Sequence, residues 1–155
     1  MIRELRKLGP MSFQWLRMRI TEEQERRNRE AQIQDRLPRA LDEFHRALIG
    51  CLESYTMAFG PESAELQLDG WQIRVVVRDE KEGGWEPRTQ VDIDMLVAVP
   101  GFQINREDAA PLFVEVGLLP GDKLFYRDRE LDQYVSMDEL THRALDRALF
   151  PKLRE

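Results

Sequence analysis

Two hydrophobic periods meet in residues 37–78, which read LPRALDEFHRALIGCLESYTMAFGPESAELQLDGWQIRVVVR. In the first half, apolar side chains recur every three or four residues, the spacing that aligns them along one side of a helix. The stripe consists of Leu37, Leu41, Phe44, Leu48, Cys51 or Leu52, Tyr55 and Phe59. Gly60 and Pro61 follow it and are typical of a helix end. The pattern predicts a core helix over residues 39–59.

The apolar spacing changes to two after this helix. Residues 64–68 and 71–78 indicate two strands, and Asp69-Gly70 between them favours a tight hairpin turn. Trp71 would share the inner face of the second strand with the apolar residues that follow it. Further strands are predicted at 89–99, with a resumption at 102–104, at 112–119 and at 123–127.

Ser136 and Glu139 match a capping box, which predicts a C-terminal helix that runs to about residue 150. Strands joined by short turns pair antiparallel, because parallel pairs need a long crossover. The sequence therefore predicts an α+β fold with an antiparallel sheet of four to five strands, packed against the core helix and the C-terminal helix. This domain would span residues 37–155, after an N-terminal helical arm over residues 1–36.

The arm has its own composition. Residues 1–20 carry five Lys or Arg against one Glu, a local charge of +4. Because the net charge of the chain is −6, the remaining residues carry −10. Residues 21–36 are almost wholly polar and favour a solvated helical spacer, with acids preceding bases at helical spacing. We expect the first helix to begin near Ser12, with Met11 as an alternative start of translation. Pro38 is predicted to break or kink the helix, or to begin the next one.

Basic and large apolar side chains alternate at the start of this arm. The residues concerned are Phe13, Trp15, Leu16, Arg17, Met18 and Arg19. Basic segments with aromatic residues bind acidic grooves on partner proteins or anionic membrane surfaces. The same side chains can instead pack on the protein's own core or mediate self-association. We expect a protein partner or a second copy, giving an oligomer, with a peripheral membrane surface as the alternative.

Composition excludes several classes of function. An acidic body disfavours binding to nucleic acid, because neutralising phosphates requires a basic face. No apolar run is long enough for a membrane-spanning helix, no secretory signal is recognisable, and the one cysteine cannot form an intramolecular disulfide. These features predict a cytoplasmic protein, peripheral to a membrane if the arm binds lipid. The excess of arginine over lysine is typical of a GC-rich bacterial genome.

The sequence predicts no catalytic, cofactor or metal site. Phosphate-binding glycine motifs are absent, and His45 and His142 have no partner ligands at metal-site spacing. Cys51 is expected to be a small core residue. Asp92 and Asp94 alternate along one strand, the spacing of an acid pair or of a solvated strand face. A ligand pocket between sheet and helix would use Trp71, Asp92, Asp94 and Tyr126.

Three functions therefore remain open. The first is a non-catalytic interaction or adaptor module that engages its partner through the arm. The second is a ligand-binding or catalytic domain with a cleft between sheet and helix, since a core helix followed by a meander is similar to cystatin-like folds. The third is an acidic chaperone of the secretion type, a class that also combines helices with such a sheet. No motif supports either likeness, so both remain analogies of fold alone.

Overall fold

A computed structural model describes residues 13–154 of the chain. The fold is α+β: one long helix, a seven-stranded antiparallel meander and a short C-terminal helix. The elements are α1 (Gln14–Phe59), β1 (Ala64–Asp69), β2 (Gln72–Lys81), β3 (Gly84–Leu96), β4 (Gly101–Arg106), β5 (Leu112–Leu119), β6 (Lys123–Asp128), β7 (Gln133–Val135), α2 (Met137–Leu149) and a 3-10 turn (Pro151–Arg154). The predicted helix start near Ser12 lies outside the described residues.

The sheet has seven strands in sequential order, so the prediction of four to five was too low. Residues 97–100 form a turn that separates β3 from β4, whereas the sequence prediction extended one strand to residue 99. Val97 and Val99 are exposed there, so this apolar run does not mark a buried strand. β7 has only three residues, too few for an alternating pattern, and it exists because it pairs with β6.

The β2–β3 hairpin also extends further than predicted, because residues 79–87 are mostly strand rather than loop. Pro87 argues against a strand in the sequence, since proline cannot donate to the ladder. In the structure it pairs with Arg78, next to the register shift between Val77 and Arg78. A bulge of this kind tolerates a missing N–H, so the hairpin continues past the proline.

α1 runs without interruption through Pro38, and the predicted break at this residue is wrong. Pro38 is exposed, whereas its neighbours Leu37 and Ala40 are fully buried. The missing hydrogen bond is therefore on the solvent side of the helix, where water can bind the carbonyl left without a donor. As a consequence, the polar spacer and the core helix of the sequence prediction form one rod of about 69 Å.

One face of the sheet packs against both helices and forms the core. β2, β3, β4 and β5 direct Val75, Ile93, Ile104 and Val114 into it, among others, and all four are fully buried. The predicted alternation along β2 is confirmed for Ile73, Val75 and Val77, but Trp71 lies in the turn before the strand and is 45% exposed.

Local signals at element ends agree with the structure. Gly70 adopts the left-handed φ of 58° that the hairpin turn requires. Ser136 accepts a hydrogen bond from the Glu139 N–H at 3.1 Å, which confirms this half of the predicted capping box. Of the two residues that could continue the apolar stripe on α1, Cys51 and Leu52, it is Leu52 that is buried. Cys51 is exposed, so the expectation that it is a core residue is wrong.

Candidate functional site

The first two turns of α1 expose large apolar side chains to solvent. Their exposed fractions are Phe13 45%, Trp15 67%, Leu16 40%, Met18 59% and Ile20 48%. Arg17 and Arg19 lie among them and are also exposed. None of these side chains belongs to the core that contains Phe44 and Leu48. The structure therefore brings together, on one helix end, the six residues that the sequence singled out for partner binding.

The polar contacts that accompany this helix end are internal to α1. Arg26 binds Glu23 at 2.7 Å and Glu30 at 2.7 Å, and Arg27 binds Glu23 at 3.1 Å. The two guanidinium groups lower the pKa of the Glu23 carboxyl to about 2. Ion pairs at this spacing stabilise a helix weakly. They support the helix without attaching it to the sheet.

The apolar contacts between α1 and the core begin at Ile33. Ile33 is the first apolar side chain of α1 that packs against the core, and Leu37 is the first that is fully buried. Trp15 lies eighteen residues before Ile33, which corresponds to about 27 Å along a helix. A polypeptide that continues as a rod over this distance cannot fold Trp15 back onto the core.

An ion-pair clamp, formed by Arg36, Arg39 and Asp122, connects α1 to the sheet. Arg36 Nε donates to Asp122 Oδ1 at 2.6 Å, and Arg39 Nη1 donates to Asp122 Oδ2 at 3.1 Å. Arg39 also donates to the backbone oxygen of Asp122 at 2.7 Å. Hydrogen bonds from both arginines lower the pKa of the Asp122 carboxyl. The clamp connects α1 to the β5–β6 turn across the boundary that the sequence suggested between arm and domain.

The sheet separates the four residues of the predicted pocket. Asp92 and Asp94 pair with Arg74 and Gln72 on the outer face, whereas Tyr126 is buried on the inner face against the helices. Trp71 lies at the β1–β2 turn. The structure thus keeps Asp92 and Asp94 beside each other but does not join them to Tyr126.

A ladder of polar side chains supplies hydrogen bonds to the two aspartates, of which only Asp92 has a cationic partner. Asp92 accepts from Arg74 Nε at 2.9 Å and from Gln90 Nε2 at 2.9 Å. Asp94 accepts from Gln72 Nε2 at 3.0 Å and from Asn105 Nδ2 at 3.4 Å. These contacts are those of a solvated strand face, in which side chains on neighbouring strands satisfy one another.

Tyr126 connects the sheet to α1 instead of lining a cleft. Its ring lies 6.1 Å from that of Phe102, and its hydroxyl donates to Glu43 Oε2 at 2.7 Å. Burial, then the hydrogen bond to Glu43 and the charge of this carboxylate, raise the pKa of the tyrosine hydroxyl well above its usual range. The arrangement holds a neutral phenol that binds a carboxylate.

We expect Tyr126→Phe to lower the free energy of unfolding at neutral pH by about 1 kcal/mol, the net value of one hydrogen bond. Because the pKa is raised in the folded state, the contribution of the hydroxyl is present below the unfolded pKa of about 10 and is lost as pH rises above it. Urea unfolding at several pH values should show the difference from wild type narrowing in alkali. A difference that stays constant into alkali contradicts this account.

Reactive side chains do not converge in the described part of the chain. Residues 13–152 contain no group of three or more His, Cys, Asp or Glu side chains that could hold a metal ion. His45 is half-buried at the edge of the α1 stripe, and His142 lies 3.7 Å from Asp146 on α2. No helix between Gln14 and Arg154 is long and apolar enough to cross a membrane.

Two surface clefts were not found from the sequence. One, of about 550 Å³, lies where Tyr55, Trp85 and Phe150 meet, at the C-terminal ends of both helices. Tyr55 packs against Phe59 and Phe150 at ring distances of 4.8 Å and 5.8 Å. The other lies beside α2 and contains Arg106 and Arg147. Both clefts are assembled from residues that are distant in the chain. The only pattern in the sequence that relates to either is the helical spacing of Tyr55 and Phe59.

No protein-family model, curated protein or solved structure matches this chain.

Proposed function

We propose that this protein is a non-catalytic interaction or adaptor module that engages its partner through the N-terminal end of α1. The partner-binding residues are Phe13, Trp15, Leu16, Arg17, Met18 and Arg19. One observation carries the proposal: five large apolar side chains between Phe13 and Ile20 are each at least 40% exposed. Exposed apolar residues in a contiguous group mark interaction sites far more often than isolated ones do.

The energetics favour a partner that covers several of these side chains together. Full burial of one large apolar side chain contributes about 1.5–3 kcal/mol. Association itself costs about 4–15 kcal/mol in lost translational and rotational freedom. One residue cannot offset that cost, but Trp15, Leu16 and Met18 with their neighbours can. Trp and Arg are also the residue types that most often dominate binding energy at interfaces.

The charges indicate an acidic partner surface. Arg17 forms no ion pair within the described residues, and Arg19 pairs only with Glu22 at 3.2 Å, with both side chains exposed. Such cations increase the rate of association with an acidic surface and contribute less to its affinity. A protein groove, the acidic body of a second copy and an anionic membrane all satisfy this requirement, and a protein partner is the form that we propose.

A triple variant tests the proposal: Trp15→Ser, Leu16→Ser and Met18→Ser together. Its matched control is Met57→Ser, which replaces a side chain that is 89% exposed on the same helix. We expect the full-length protein to retain a protein partner from its native lysate, or to self-associate in sedimentation equilibrium. The triple variant should lose this association and the control should keep it. Co-sedimentation with phosphatidylglycerol vesicles distinguishes a membrane partner.

Urea unfolding of the same variants separates binding from folding. Surface substitutions usually change the free energy of unfolding by less than about 0.5 kcal/mol. The triple variant should therefore unfold like the wild type while its association is lost. The proposal is contradicted if the triple variant and a deletion of residues 1–20 match the wild type in partner retention, self-association and vesicle binding.

The rival proposal, a cystatin-like domain with a cleft between sheet and helix, has less support. The inner sheet face is filled by buried side chains such as Phe102, Ile104 and Val114, which leaves the helices in direct contact with it. Asp92 and Asp94 lie on the opposite face and are hydrogen-bonded there to side chains of neighbouring strands. The proposal of an acidic secretion-type chaperone rests on the acidic composition and the sheet alone.

A further inference from the structure

A cleft of about 450 Å³ lies beside α2, away from the exposed end of α1. Arg106, the last residue of β4, enters it from one side, and Arg143 and Arg147 enter it from α2. Leu112 and Leu131 supply its apolar wall. The cleft thus combines several cations with an apolar surface.

Ion pairing distinguishes two of these arginines from the rest of the globule. Between residues 37 and 152 the chain has ten arginines, and eight of them form an ion pair with a carboxylate. The eight are Arg39, Arg46, Arg74, Arg78, Arg88, Arg127, Arg129 and Arg143. Arg106 and Arg147 form none with any residue that the structure describes, and both line the same cleft.

Both guanidinium groups keep unused donors. Arg106 donates to the backbone oxygens of Ala110 at 2.8 Å and of Arg143 at 3.5 Å, and its buried Nε has no partner in the described structure. Arg147 donates only to the backbone oxygen of Asp108, at 3.2 Å. Each guanidinium carries five N–H donors, so most of them remain available. Burial, and then the charge of the neighbouring Arg147, lower the pKa of Arg106, while the charge of Asp108 acts in the opposite direction.

Three carboxylates line the cleft: Asp128 and Asp146 have side-chain contacts, whereas Glu130 is exposed and forms no ion pair with a described residue. Asp128 is almost fully buried and accepts from Arg143 and from the N–H groups of Glu130 and Leu131. The Asp146 Oδ2 atom lies 3.7 Å from His142 Nε2. Arg106 and Arg147 thus keep spare donors and have no described carboxylate within ion-pair distance, unlike the other eight arginines between residues 37 and 152.

We propose that this cleft binds the oxyanion of a small molecule, a phosphate ester or a carboxylate, between the guanidinium groups of Arg106 and Arg147, with the apolar part of the ligand against Leu112 and Leu131. Guanidinium donors match the geometry of both oxyanions and form charge-assisted hydrogen bonds with them. The bound anion would also relieve the repulsion between the two arginines. This site does not depend on the arm and goes beyond its proposed role.

Calorimetric titration at low ionic strength tests the site with three anions. Phenyl phosphate carries the oxyanion and an apolar group, inorganic phosphate lacks the apolar group, and isovalerate replaces the phosphate by a carboxylate. We expect phenyl phosphate to bind more tightly than inorganic phosphate, because only the former can contact Leu112 and Leu131. If isovalerate binds saturably and phenyl phosphate does not, the ligand of this cleft is a carboxylate.

Arg147→Gln should weaken the binding of the preferred anion about tenfold, because a charge-assisted hydrogen bond is lost. Arg147 is exposed, so this variant should keep the fold. Arg106→Lys keeps the charge but loses the planar fork and should also bind more weakly. Arg46→Gln, which removes an exposed arginine paired with Asp42 on α1, is the matched control and should bind like wild type.

Two results overturn the proposal. One is the absence of saturable binding by all three anions. The other is an equal affinity of Arg147→Gln and Arg46→Gln, which would show that the anions only screen the general charge of the protein. Circular dichroism of each variant confirms that a loss of binding is not a loss of folding.

Discussion

Phe44→Ala should lower the free energy of unfolding by about 3–5 kcal/mol, the usual cost of replacing a buried phenylalanine by alanine. Phe44 is fully buried in the middle of α1, and its ring meets that of Phe102 edge to face at 4.8 Å. Phe102 in turn contacts Tyr126, whose hydroxyl binds Glu43, the residue before Phe44. The substitution therefore opens a cavity where α1, β4 and β6 are joined.

Chemical unfolding of Phe44→Ala beside Trp15→Ala gives the decisive comparison. Both variants remove a large aromatic side chain from the same helix, but Trp15 is 67% exposed. Trp15→Ala should stay within about 0.5 kcal/mol of wild type. Equal losses in the two variants would mean that the exposed end of α1 packs on the globule, which would also remove the basis of its proposed role in binding.

Gly101→Ala should also destabilise the protein, with a loss of about 1–3 kcal/mol, as expected for overpacking. A Cβ at this position would lie 2.6 Å from the backbone oxygen of Val114 and 2.5 Å from the ring of Phe113. The ring can move, but the oxygen belongs to the neighbouring strand β5. Relief therefore requires the two strands to separate where the β3–β4 turn enters the sheet.

Gly50→Ala is the control for this prediction, and we expect it to raise the free energy of unfolding instead of lowering it. Gly50 lies within α1, and a Cβ there would meet no atom within 4 Å. Alanine is favoured over glycine in a helix interior by about 1 kcal/mol, so this variant should unfold at higher urea concentration than wild type. A Gly101→Ala protein as stable as wild type would contradict the close approach of β4 and β5.

Local patterns were sufficient for the parts of the fold that local physics decides. The three- to four-residue spacing from Leu37 to Leu52 located the buried side of α1, because a helix places such residues on one line, but the predicted stripe continued too far, since Phe59 is 56% exposed. Asp69-Gly70 located the first hairpin, and Ser136 located the start of α2. In each case the signal and the structure lie within a few residues of one another.

Features that depend on distant contacts were not predictable in the same way. β7 is defined by its pairing with β6, and Pro87 is tolerated because of a bulge opposite it. Pro38 remains inside a helix that is held on both sides of it by the core and by the clamp on Asp122. Proline is a strong local signal, but packing outweighed it here.

The two candidate sites differ in the same respect. The residues from Phe13 to Arg19 are consecutive, so their composition alone suggested a binding segment. Arg106 and Arg147 belong to different elements, and their lack of a carboxylate appears only when every ion pair of the globule is known. An arginine without an ion pair has no signature in the sequence of a protein that is rich in arginine.

The continuity of α1 has a mechanical consequence. A flexible linker after residue 36 would let the globule tumble about a bound partner, whereas a helix advances by a fixed 1.5 Å per residue and transmits rotation as well as position. A molecule that grips Trp15 would therefore set how the sheet is oriented relative to it. Inserting two glycines in the exposed turns would make the helix flexible at that point, and the orientation of the sheet would no longer follow that of the bound molecule.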